Sequence, residues 1–226
     1  MNIDILFGKT TEHLIPLEGT KYQINKQMLP DFLRLQRDAN KDGFDLQIAS
    51  AFRDFDRQLK IWNAKARGER PLLDDQENVL DHSQLSPKEI MYAILRWSAL
   101  PGSSRHHWGT DIDVFNGNTQ TPESVKLSTS ECIGNGPAAS LHEWLDGKIS
   151  QNAAYGFYRP YLTDRGGVSP ERWHLSYYPI SRRLGEFYTF SLFKKNIEQT
   201  ELLLKNEILE NADEIFNRYF LNVDIP

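Results

Sequence analysis

Apolar positions along the chain repeat in two different periods, and the switches between them mark the elements. In "KQMLPDFLRLQRDANKDG", Met28, Phe32, Leu33 and Leu35 are spaced like one face of a helix that Gly43 can end. "FDLQIAS" changes to alternation, with Phe44, Leu46 and Ile48 against polar neighbours, which predicts a half-buried strand ending near Ser50. "DFDRQLKIWNAKARG" returns to helical spacing, with Asp54 placed as a cap, Phe55, Leu59 and Trp62 on one face, and Gly68 at the end. In "SPKEIMYAILRWSAL", Ser86, Pro87 and Glu89 occupy the N-cap, first-turn and capping-box positions of a further helix. From Thr110 alternation resumes: Thr110, Ile112 and Val114 face one way, and Asp111, Asp113 and Phe115 the other. "RPYLTDRGGVSPERWHLSYYP" predicts a loop entering a strand in which Trp173, Leu175 and Tyr177 oppose His174, Ser176 and Tyr178. The span of about 116–170 is expected to be a long loop or insertion containing one short helix, and about 191–220 a helical C-terminal segment. These elements predict a single α+β domain over 1–226, with helices packed on a small antiparallel sheet.

Bulk composition narrows the function. At 226 residues, 39% hydrophobic and 25% charged, the chain can bury a real core. A net charge of -5 disfavours a nucleic-acid partner, which needs clustered Lys and Arg. The lone Cys132 excludes an intrachain disulfide and a multi-cysteine zinc cage. The N-terminus has no basic n-region and no apolar run is long enough to cross a bilayer, so the expectation is no membrane insertion and, by default, a cytoplasmic location.

The chemistry concentrates in "SSRHHWGTDIDVF", Ser103–Phe115, where two histidines and two aspartates surround Gly109. A catalytic zinc takes about three His, Asp or Glu ligands and leaves a position for water. Asp113 and His174 lie on strand faces, a histidine on the loop before Gly109 completes the set, and Gly109 tolerates the bend between them. By composition alone either His106 or His107 could be that ligand. Glu171 precedes His174 by three residues, so in a regular strand the two would point apart. A turn at Pro170–Glu171 is required for Glu171 to act as base. Asp111 shares the face of Asp113 and could orient a ligand histidine or be an alternative ligand.

These residues carry a family resemblance. "SRHHWGTDID" resembles the Ser-x-His-x-x-Gly-x-x-x-Asp motif of the VanY-type D-alanyl-D-alanine carboxypeptidases, and "ERWH" their Glu-x-Trp-His motif. "SAFRDFDRQ" is similar to their Ser-Gly-Tyr-Arg-Ser-x-x-x-Gln segment. The resemblance runs from roughly Met28 to Pro179, with the motifs in order. It departs from the family at Asp111, where Ala is usual, and at Ala51-Phe52, where Gly-Tyr is usual. It implies the α+β fold shared with lysostaphin-type peptidases and hedgehog domains, around one zinc ion. It implies His106, Asp113 and His174 as the metal ligands and Glu171 as the catalytic base. Arg53, with Ser50 and Gln58, is implied to hold the substrate's terminal carboxylate, for which a guanidinium fork is suited. Ser104 is either a substrate donor or a turn residue.

The alternatives are plain ones. Arg53 could instead pair with Asp54 or Asp56, and His107 could serve a structural hydrogen bond. His13, His82 and His142 read as surface or packing residues, and Trp108 and Trp173 as walls of the site. The stripe Leu203, Ile208, Ile215, Phe216, Tyr219 and Phe220 reads as core or dimer surface. The activity expected is a zinc-dependent D,D-carboxypeptidase cutting the terminal D-Ala-D-Ala bond of peptidoglycan stem peptides or precursors. An L,D-carboxypeptidase, a D-Ala-D-Ala dipeptidase, an endolysin-like endopeptidase and a non-catalytic zinc-stabilised binding module are the other readings.

Overall fold

A computed structural model describes residues 2–226. The chain begins with a short helix α1 (Ile3–Leu6) and a hairpin of two three-residue strands, β1 (Leu14–Pro16) and β2 (Gln23–Asn25). Helix α2 (Leu29–Lys41), strand β3 (Leu46–Ser50) and helix α3 (Phe55–Ala66) follow. After a long loop come α4 (Pro87–Trp97), a 3-10 turn (Arg105–Trp108) and strand β4 (Asp111–Asn116). The 116–170 span holds α5 (Thr129–Cys132), α6 (Ala139–Ser150) and β5 (Phe157–Tyr158), so it contains ordered elements between its loops. Strand β6 (His174–Tyr177) runs directly into α7 (Tyr178–Phe187), and α8 (Phe190–Gln199), α9 (Lys205–Glu210), α10 (Ala212–Ile215) and a π-helical turn (Phe216–Leu221) close the chain.

The main sheet is antiparallel, in the order β3-β4-β6-β5. Alternation decides what each face meets. Leu46, Ile48, Ile112, Val114 and Leu175 pack with Phe32, Leu35, Leu141 and Leu145 of α2 and α6 in one apolar cluster. Asp111, Asp113, His174 and Ser176 point to the other face. The helical layer there carries a second cluster, which includes Trp62, Ile90, Met91, Ile94, Phe193, Ile208 and Phe216. Every residue of β4 and β6 is buried, so the polar face lies between two layers rather than in water.

Local signals place the helices that build this second layer. Ser86 Oγ accepts the Glu89 N–H at 3.3 Å while Glu89 Oε2 accepts the Ser86 N–H at 2.8 Å, and Ile90, Met91, Ile94 and Leu95 of α4 are buried. Asp54 caps α3 by accepting the Arg57 N–H at 2.7 Å. The helical C-terminal segment that periodicity predicts over about 191–220 is divided into several short helices. It breaks after Gln199, where Trp62 Nε1 donates to Leu203 O at 2.9 Å and Asn63 Oδ1 accepts the Leu203 N–H at 2.9 Å. Leu204 then adopts a φ of 63°. Partners on α3 replace the helical ones, and the chain folds back across the site. No helix among the described residues is long and apolar enough to cross a membrane.

Candidate metal centre

Three elements bring the site together. Asp113 on β4 and His174 on β6 are directly opposite each other, so their side chains share one face at cross-strand distance. His106 comes from the 3-10 turn that ends at Gly109, whose φ of 65° bends the chain into β4. A side chain at Gly109 would crowd Asn25 N, 3.0 Å from the position a Cβ would take, so the bend and the packing both call for glycine. Ligand atoms of His106, Asp113 and His174 all lie within 4.8 Å of one another, and all three residues are buried.

The hydrogen bonds determine which nitrogen of each ring faces inward. His106 Nδ1 must donate to Ala51 O at 3.0 Å, since a carbonyl only accepts, and this leaves the Nε2 lone pair 3.4 Å from Asp113 Oδ2. His174 Nε2 donates to Asp111 Oδ1 at 3.0 Å, which turns Nδ1 toward Asp113 Oδ1 at 3.2 Å and Glu171 Oε2 at 3.4 Å. His174 Nδ1 and Asp113 Oδ1 are nevertheless buried with no aligned hydrogen-bond partner. Each such orphan costs about 1–3 kcal/mol unless something else satisfies it. Two inward imidazole nitrogens and a carboxylate with unmet bonding capacity fit a divalent metal ion, and each imidazole is held from behind by an acceptor.

His107 is different: its Nδ1 donates to Arg53 O and its Nε2 accepts the Gly102 N–H at 3.0 Å, so neither nitrogen is free for a metal. Asp111 stands behind His174 and also accepts from Arg105 Nε at 2.8 Å and Thr110 Oγ1 at 2.7 Å. Arg105 Nη2 reaches Tyr158 Oη at 3.0 Å and Ser176 Oγ at 2.7 Å. Arg105 gave no signal in the sequence beyond its place two residues inside a motif.

Electrostatics separates the two rings. Burial pushes His106 down to about 4, keeping it neutral. Burial also opposes charge on His174, but Asp111, Asp113 and Glu171 together hold its pKa well above the ordinary value in the metal-free protein. Glu171 is raised, chiefly by burial. Its position comes from a turn in which the His174 N–H donates to Glu171 O at 3.0 Å, while the Glu171 N–H is held by Tyr161 O at 2.8 Å.

Arg53, Ser104, His106, Asp113, Glu171 and His174 all line one cavity of about 430 Å³. Arg53 Nη1 donates to Gln58 Oε1 at 2.9 Å and Nη2 to Ser50 Oγ at 3.3 Å, and Gln58 Nε2 is anchored on Ala99 O at 2.6 Å. Arg53 Nε is buried without a partner, and no ion pair joins Arg53 to Asp54 or Asp56 among the described residues. Ser50 reaches this face only because the β3–β4 register shifts between Ile48 and Ser50, so that Ser50 stands opposite Asp113. Trp173 lines the cavity, but Trp108 does not: it is 1% exposed in the helical core, with its Nε1 donating to Leu6 O at 3.3 Å. Tyr219 and Phe220 of the C-terminal turn, Trp97 and Tyr161 are further walls that periodicity did not reveal. His13 and His142 are buried packing residues, and His82 is half-buried with Nε2 3.1 Å from Ala66 O.

One consequence is acid lability. Burial lowers His106 to about 4 and His107 and His142 to about 3, against an ordinary value of 6.5. Between those values the unfolded chain binds more protons, so stability present above pH 6.5 is lost as pH falls toward 4. His174, shifted upward, contributes fully below pH 6.5 and does not offset that slope. The denaturant midpoint of the metal-free protein is expected to fall steadily from pH 6.5 to 4.5. A flat profile would mean that these imidazoles are charged in the fold.

The comparisons with known proteins agree with this architecture. Residues 21–180 match the family model described as VanY, D-alanyl-D-alanine carboxypeptidase. Two uncharacterized proteins of Haemophilus influenzae (strain ATCC 51907 / DSM 11121 / KW20 / Rd) are related in sequence. One is 47% identical over 100 residues, 43% of this chain and 68% of the relative. The other is 23% identical over 125 residues, 54% of this chain and 93% of the relative. The structure of VanYB in complex with D-alanine-D-alanine is similar with a TM-score of 0.53 and 22% identity, covering 83% of this chain and 88% of that one. A Zn(II) complex of the vancomycin-resistance D,D-pentapeptidase VanY gives a TM-score of 0.52 at 21% identity, over 88% and 92% of the two chains. The LdcB LD-carboxypeptidase gives 0.51 at 20% identity, over 87% and 77%. At such identities the structural likeness establishes the α+β fold. The family match spans well over half of the 226 residues, and the chain belongs to the VanY D-alanyl-D-alanine carboxypeptidase family.

Proposed function

We propose that the protein is a zinc-dependent D,D-carboxypeptidase that removes the terminal D-alanine from peptidoglycan stem peptides or their precursors. The observation that carries this reading is the convergence of His106, Asp113 and His174 in one cavity with Glu171 and the Arg53 guanidinium. His106, Asp113 and His174 would hold one zinc ion, which supplies a Lewis acid that polarises a carbonyl and acidifies water. Arg53, which lines the cavity, binds the free carboxylate of the substrate with its guanidinium. Gln58 and Ser50 fix the plane of that guanidinium, and Ser104 is a further donor at the cavity wall. Glu171 takes the proton of the attacking water at its carboxylate and returns it to the leaving amine nitrogen. Burial raises its pKa above the ordinary carboxylate value, the direction that makes it a better proton acceptor. A structural metal site has no need of such a base, which is why hydrolysis is favoured over a non-catalytic module.

The test is a digest of defined peptides with zinc-loaded protein, followed by mass spectrometry. Release of one D-alanine from a pentapeptide ending in D-Ala-D-Ala, suppressed by a chelator and restored by zinc, is the expected result. Release of D-alanine from a tetrapeptide instead would make it an L,D-carboxypeptidase, release of the D-Ala-D-Ala unit a dipeptidase, and cleavage of crosslinked peptides an endopeptidase. Zinc binding with no cleavage of any of these peptides would overturn the reading.

A further inference from the structure

The cavity carries more positive charge than a single terminal carboxylate requires. Besides Arg53, its lining includes Lys65, Arg70 and Lys126, while its carboxylates, Asp113 and Glu171, both belong to the metal centre. Arg105 also lines it, but that guanidinium is neutralised by Asp111. Among the described residues no carboxylate forms an ion pair with Lys65, Arg70 or Lys126, although the chain as a whole carries a net charge of -5. Lys65 is half-buried, and this burial pulls its pKa down to about 8; Glu171 is the strongest favourable charge acting on it. A partly desolvated ammonium without a partner is a poor structural element but a ready acceptor for an incoming anion.

Placement along α3 says where that anion would sit. Gln58, Ile61 and Lys65 follow one another along one side of the helix: Ile61 and Lys65 line the cavity, and Gln58 is buried against Arg53. Lys65 is seven residues beyond Gln58, so it lies about 10 Å along the helix from the group that orients Arg53. An extended peptide advances about 3.3–3.6 Å per residue, so a long side chain two residues before the C-terminus reaches the Lys65 end while the terminal carboxylate stays at Arg53. Arg70, in the loop after α3, and Lys126, beside Leu127 with its φ of 56°, are exposed at the rim.

We infer that Lys65, with Arg70 and Lys126, forms a second anion subsite, selecting peptides that carry a side-chain carboxylate two residues before their free C-terminus. The inference rests on the proposed peptidase reading and specifies its substrate.

The test compares two pentapeptides ending in D-Ala-D-Ala, one with L-lysine and one with meso-diaminopimelate at the third position. They share the side-chain ammonium and differ by one carboxylate. Affinity is read by calorimetry on the zinc-loaded Glu171→Gln protein, and kcat/KM on the wild type. The diaminopimelate peptide is expected to be preferred by about tenfold or more, the scale of one charge-assisted contact. That ratio falls toward one in Lys65→Met and is largely kept in Lys65→Arg. A wild-type ratio near one would overturn the subsite, as would a ratio unchanged in both Lys65→Met and the Lys65→Met/Arg70→Gln/Lys126→Gln triple variant. Preferential binding without hydrolysis would remove the peptidase reading and leave the subsite standing. Binding of neither peptide would overturn both.

Discussion

Replacing Glu171 by Gln is expected to lower kcat for release of D-alanine by about 10²–10⁴-fold, the range for loss of a positioned general base. Zinc content and thermal midpoint should stay close to those of the wild type. The amide keeps the volume of the carboxylate and its hydrogen-bonding oxygen, but it cannot take a proton. The Glu171 N–H on Tyr161 O and the turn to His174 are backbone contacts that the substitution leaves alone. Glu171 Oε2 is 3.4 Å from His174 Nδ1, close enough to reach a water beside the proposed metal ligands. The clean readout is therefore a fall in kcat without a matching rise in KM, because Arg53, not Glu171, is proposed to hold the substrate. Retention of full activity would remove Glu171 from the mechanism. Loss of zinc along with activity would make it a ligand rather than a base.

What the sequence discloses and what it hides can be followed residue by residue. The period-2 stretch from Thr110 places Asp111 and Asp113 on one face and Ile112 and Val114 on the other, and the sheet has that arrangement. Gly109 is legible because a bend there needs a positive φ, and it has one. The capping box at Ser86 is local, and so it too can be read directly. Ser50 is harder. Simple alternation from Leu46 and Ile48 would put it on the core face, and only the bulge in β3 turns it toward Asp113 and Arg53. Bulges depend on the partner strand, which lies more than sixty residues away in the chain. The β1–β2 hairpin escaped notice because three-residue strands are too short to display a period. The aromatic wall of Tyr219 and Phe220 is likewise a tertiary fact: the helical stripe is visible, but the break at Leu204 that swings it over the cavity is made by Trp62 and Asn63 on α3. Lys65 also looks like an ordinary solvated lysine until α3 is placed against the cavity.

The departure from the family pattern at Asp111 has a structural counterpart, and it makes the strongest prediction about stability. Asp111 is 0% exposed, a position where a lone carboxylate would be very unfavourable. Burial works against its charge, yet Arg105, His174 and Thr110 together hold its pKa far below the usual carboxylate range. Arg105 is the fixed member of this group: its Nε donates to Asp111 and its Nη2 ties Tyr158 on β5 and Ser176 on β6 to the same guanidinium. Removing one partner of a buried pair costs about 3–5 kcal/mol, because the other charge stays behind. Arg105→Met keeps an unbranched apolar side chain at this buried position while deleting the charge and the guanidinium that lies 4.9 Å over the Trp108 ring. Because His174 and Thr110 still donate to Asp111, the expected loss is at the lower end, about 3 kcal/mol in denaturant unfolding of the zinc-free protein. The double variant Arg105→Met/Asp111→Ala should recover part of this loss, since no charge is then stranded, and the difference measures the coupling of the two. In Arg105→Met the Asp111 carboxylate keeps Thr110 and His174 but loses its Arg105 donor, so the His174 ring it orients is held less firmly and should bind zinc about 10–100-fold more weakly. Equal stability of wild type and Arg105→Met, or a double variant less stable than the sum of its singles, would show that the pair is incidental to the fold. The metal centre would then have to be held by the sheet alone.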